Sequence, residues 1–100
     1  MEFRYTPELA EYIQKHNKTT LLVEMVELNN SDLDVTELHI HFVNASLRKQ
    51  FVEKKRYRVF PTELCEVLLP NFPLEIEDVV TFGLKKILWF NSITCQGIKL

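Results

Sequence analysis

Residues 35–43 alternate strictly in polarity: Leu38, Ile40 and Phe42 fall on one side, Glu37, His39 and His41 on the other. Period two marks a β-strand with one face buried and one face in water. A chain built on such strands must cover an apolar sheet face with another layer. Similar character appears elsewhere. Thr19–Leu28 is a run of β-branched and apolar residues and reads as a strand. Asn29-Asn30-Ser31-Asp32 has turn chemistry, so these two runs are expected to form a hairpin. Residues 74–84 are β-like, with Val80, Phe82 and Leu84 alternating with Thr81 and Gly83. Lys85-Lys86 reads as a polar break, after which Ile87–Phe90 and Ser92–Ile98 close the chain as one or two strands.

One segment has helical spacing. Leu9, Tyr12 and Ile13 stand at i, i+3 and i+4. Thr6 can cap this helix, Pro7 suits its first position, and Glu8 favours its N-terminal dipole. Lys15, His16 and Lys18 suit the far end and Asn17 can stop it, giving a helix at 7–16. Glu2–Tyr5 reads as a brief strand before it. Residues 44–52 leave a short helical turn open. Tyr57–Phe60 and Cys65–Leu69 read as short strands around Pro61, against the alternative of a short helix starting at Pro61. There are only two glycines, so tight hairpin turns must rest on Asn and Asp. The expected fold is a single α+β domain over residues 1–100, mostly β, with one N-terminal helix.

The chain is 46% hydrophobic and 26% charged over 100 residues, enough for one core without staples. Its formal net charge is -2, so bulk charge gives no argument for nucleic acid. The cations are unevenly placed: Arg48, Lys49, Lys54, Lys55, Arg56 and Arg58 lie in one eleven-residue stretch opposed only by Glu53. The start MEFRYTPELAEY has no apolar signal core. The longest apolar run, ILWF, is far short of the ~20 residues of a membrane span. The expectation is a cytoplasmic chain without a membrane partner, and free rather than bridged thiols at Cys65 and Cys95.

Several residues can carry chemistry. His39 and His41 share a strand face, about 7 Å apart. With Glu37, or with Glu24 or Glu27 from the neighbouring strand, they can hold zinc or iron; the plainer reading is a solvated face. Cys65 and Cys95 are candidate metal or redox thiols, although buried cysteines usually just fill space. The stretch 48–58 interleaves Phe51 and Tyr57 with its cations, a pattern that can grip phosphates and stack bases. A solvated face or a docking site for an acidic partner is the simpler alternative. Phe82, Leu84 and Ile87–Phe90 form the densest apolar stretch, read as core first and as a partner or dimer surface second. There is no Gly-rich phosphate loop, and Ser31, Ser46 and Ser92 lack nucleophile context, so no enzyme is expected.

The layout resembles a known family. A short strand, TPELAEYI as a helix and TLLVEMVEL as a strand are similar to the start of HesB-like domains, relatives of the A-type iron–sulfur assembly proteins. The tail from Val80 to Ile98, ending in Thr-Cys-Gln-Gly-Ile, resembles their closing segment. The resemblance implies a compact, mostly β fold. Where small HesB-like proteins carry a cysteine motif, this chain has residues 27–32 without cysteine, and only Cys95-Gln-Gly97 stands where A-type scaffolds have Cys-Gly-Cys. It therefore implies a degenerate, non-catalytic domain binding a protein partner or accessory metal. The alternatives are an iron–sulfur or iron carrier using Cys65 and Cys95 across a dimer, and an anion- or nucleic-acid-binding module using residues 48–58.

Overall fold

A computed structural model describes residues 1–29 and 34–100. The expected turn at 29–32 lies largely outside the described residues. The described residues form ten elements, arranged as two mixed sheets with helical segments beside them.

β1 (Glu2–Tyr5) leads directly into α1 (Pro7–Lys15). The Thr6 side chain accepts a hydrogen bond from the Leu9 N–H and Pro7 occupies the first turn, as the sequence predicts. The C-terminal end follows its sequence signal as well. Asn17 takes the left-handed conformation (φ 51°), and the N–H groups of Lys18 and Asn17 donate back to Ile13 and Gln14. That pair of bonds is a Schellman cap, which satisfies carbonyls the helix end leaves open.

β2 (Thr20–Asn29) pairs antiparallel with β3 (Asp34–Phe42), with Glu24 opposite His39 and Leu22 opposite His41. α2 (Ala45–Lys49) is capped by Asn44 and runs on into a π-helical turn, Gln50–Lys54. The open segment at 44–52 is thus helical. β4 (Arg58–Pro61) and β5 (Glu66–Leu69) follow. No helix starts at Pro61. Instead Thr62 closes a tight bend, its N–H and hydroxyl both donating to the Cys65 carbonyl.

β6 (Glu75–Ile87) and β7 (Phe90–Lys99) form a long hairpin. Lys85-Lys86 does not break the strand, because the ladder runs through both residues to Ile87 opposite Phe90. Cross-strand pairing satisfies the backbone there, while the lysine side chains stay in water.

The strand orders are β1-β6-β7 and β3-β2-β5-β4. The sheets face each other over one core of Leu9, Ile13, Leu21, Val23, Val67, Leu69, Val80 and Phe82. A second cluster lies on the outer face of the four-stranded sheet, where Phe51 and Tyr57 close over Leu22 and Leu68. Tyr57 also accepts a hydrogen bond from the Met25 N–H at 3.0 Å, just past the end of the β2–β5 ladder.

Candidate functional site

The strand face carrying the histidines is open, as its alternation predicts. His39 donates from Nε2 to Glu37 at 3.0 Å, and His41 to Glu24 at 2.9 Å. Each imidazole thus has its own carboxylate, both pairs are half-exposed, and neither pair is joined to the other. Among the described residues no group of three or more His, Cys, Asp or Glu side chains converges as a metal site would require. Exposed pairs of this kind add little stability.

The basic stretch divides into parts with different roles. Arg48 makes a two-pronged contact with Glu66, 2.6 and 3.0 Å, which clamps α2 to β5. The guanidinium holds the Glu66 carboxyl below its ordinary range. Lys55 lies over the Phe51 ring and Arg58 over the Phe60 ring. Phe51 and Tyr57, the aromatics that would stack bases, are buried, with their rings edge to face. Lys49, Lys54, Lys55, Arg56 and Arg58 remain exposed as a charged surface without a stacking platform.

Cys65 is buried and Cys95 is partly buried against the same core. Cys65 lies in the core with its sulfur 3.5 Å from the Tyr5 hydroxyl. Thr62 donates its one proton to the Cys65 carbonyl, so at 2.6 Å it accepts from Tyr5. Burial pushes the Cys65 thiol up and the Tyr5 phenol up, and pushes Cys95 up to about 11. A group that ionises more readily when unfolded destabilises the fold as pH rises. The Cys95 contribution is therefore complete below the ordinary thiol value of 9 and is lost between 9 and about 11. Urea midpoints across that window are expected to fall less steeply in Cys95→Ala than in the parent chain. Coincident profiles would show that burial does not hold the thiol neutral.

The feature that departs most from the sequence expectation is the β6–β7 hairpin. Phe82 is core and Leu84 packs against it. Ile87 through Phe90, expected to be core as well, are in water: Leu88 is 82% exposed, Trp89 88% and Phe90 51%. Leu88 also holds φ 54°, a left-handed conformation that costs a residue with a Cβ roughly 1–2 kcal/mol. A two-residue hairpin turn with positive φ at its first central position ordinarily takes Gly there. Beside the tip, β7 lies close to β3, and a hollow of about 350 Å³ opens there, with Tyr12, Lys18, Phe42, Leu84, Phe90 and Ile93 in its lining. A second hollow shares Tyr12, Leu84 and Asn91 with it and adds Glu8, Glu11, Lys15, His16 and Lys86.

No protein family, curated protein or solved structure matches this chain. The likeness of its first and last segments to HesB-like domains therefore stands on sequence pattern alone.

The residues that the fold gathers around the tip were not grouped by the sequence. Lys15 and Lys18 end a helix, whereas Lys85 and Lys86 lie some seventy residues later. Only the packing of α1 beside β6 brings them to one end of the molecule. The signal available in the sequence was the run Ile87–Phe90 directly after two lysines, which reads as a strand rather than a turn.

Proposed function

We propose that this chain is a non-catalytic docking module whose recognition element is the Leu88–Trp89 tip. The observation that carries this is a large apolar pair held in water at the end of a two-stranded ladder, on a strained backbone. Exposed apolar clusters on small domains mark contact surfaces, and backbone strain concentrates where function requires it. The absence of chemistry in the proposal is supported by the shifted groups. Tyr5, Cys65 and Cys95 are all pushed toward remaining neutral, opposite to what an activated nucleophile needs. As a fold, we read the chain as a HesB-like domain without the cysteine motif, supported by the sequence pattern of segments 6–13, 20–28 and 80–98.

A photoreactive amino acid placed at position 89 in cells is expected to give adducts that the same amino acid at the exposed position 53 does not. Leu88→Gly separates stability from docking. It relieves the left-handed strain and is expected to raise stability by about 1 kcal/mol, while weakening the adducts formed at 89. Equal labelling at 89 and 53 would end the proposal.

A further inference from the structure

The chemistry around the tip narrows what it docks to. Lys85 and Lys86 are exposed and, as successive strand residues, project to opposite faces of the hairpin. Lys15 and Lys86 line one hollow at its base, and Lys18 lines the adjoining one beneath Phe90. Glu8 and Glu11 share the first hollow with Lys15 and Lys86 and balance them there, so the excess of positive charge around the tip comes from Lys18 and Lys85. The tip is thus an apolar point with a net cationic collar.

The dimensions fit a particular kind of surface. A strand advances about 3.4 Å per residue, so Leu88 reaches roughly 7 Å beyond Lys86. Apolar groups of interfacial proteins enter a bilayer by about 5–10 Å, with their cations at headgroup level. Tryptophan is the residue most suited to that depth, since its ring is apolar and its N–H needs a polar neighbour. Four consecutive apolar residues are far too few to span a bilayer, but they suffice to lie in one leaflet. A lipid surface also needs no complementary pocket, which suits a tip presenting only two fully projecting side chains.

Resting on the docking function proposed above, we infer that the β6–β7 tip inserts Leu88 and Trp89 into the interface of anionic phospholipid membranes, with Lys15, Lys18, Lys85 and Lys86 at the headgroups. The module lies on the membrane and does not cross it.

Trp89 is the only tryptophan in the chain, so its emission reports the tip alone. The full chain is titrated with vesicles of phosphatidylcholine containing phosphatidylserine, and with phosphatidylcholine alone. The expected result is a blue shift with the anionic vesicles and quenching by lipids brominated on the acyl chain. Partitioning should be about tenfold or more weaker on phosphatidylcholine alone, or in K85Q/K86Q, and should fall with added salt. Both substituted lysines are exposed, and a parent-like thermal transition confirms that the variant folds.

Three results would overturn the inference. One is no shift with anionic vesicles. Another is vesicle binding, read by co-sedimentation because this variant lacks the tryptophan, that persists in L88S/W89S, which would place the contact on the basic surface at 49–58. The third is a shift that follows protein concentration without lipid, which would make a second copy the occupant. Adducts to protein at position 89 together with no lipid response would sink the membrane inference and leave the docking function standing. Equal labelling at 89 and 53 would remove the docking function itself.

Discussion

Gly97→Ala is expected to destabilise the fold by about 3 kcal/mol or more, combining backbone strain with overpacking. Gly97 holds φ 102°, and a methyl group built on it would sit 2.5 Å from the Val79 carbonyl oxygen. That oxygen is backbone and has nowhere to go. The site marks an irregularity in the hairpin: the ladder steps from Ile76 opposite Ile98 to Thr81 opposite Gln96, so β6 carries extra residues against Gly97. A urea titration of the purified variant measures the loss. Gly83→Ala is the contrasting control. Its added methyl would meet the Thr94 hydroxyl at 2.7 Å, a side chain able to rotate away, so the smaller loss is expected there. Equal losses at the two positions would show that the bulge does not depend on glycine.

Phe82→Ala should cost about 3–5 kcal/mol, the range for emptying a buried aromatic site. For a domain of this size that lowers Tm by on the order of 20 °C. Phe82 is 0% exposed and sits where both sheets, β1 and the thiols meet. Its ring stacks on Phe3 with centroids 6.2 Å apart and tilts against Tyr5 at 6.0 Å. Cys95 is its cross-strand partner on β7. No one neighbour can fill the vacated space, because those around it belong to different strands held by their own ladders. A differential scanning calorimetry trace that moves only a few degrees would mean that the two sheets do not share one core.

Both substitutions strike the framework that presents Leu88 and Trp89, so they are expected to disturb the tip indirectly. The tip's own residues contribute little to folding. This division between a paired ladder and an exposed end allows docking to be tested without unfolding the domain.

Local chemistry was legible wherever one segment settled its own outcome. Thr6, Pro7 and Asn17 set both ends of α1, and the alternation at 35–43 set which side of β3 meets water, because capping and period-two burial need no distant partner. The α+β class followed from the same signals. Elsewhere the outcome depended on distant contacts. Lys85-Lys86 looked like a break, yet pairing with β7 carried the strand through it. Phe51 and Tyr57 looked available for stacking, but the outer face of the four-stranded sheet needed a cover and took them. Ile87–Phe90 looked like core, since apolarity alone cannot distinguish a strand interior from a hairpin tip. Which apolar residues stay in water, and which lysines surround them, depends on where each strand ends relative to its neighbours. Register is fixed by pairing across tens of residues of intervening chain, so only the tertiary structure could decide it.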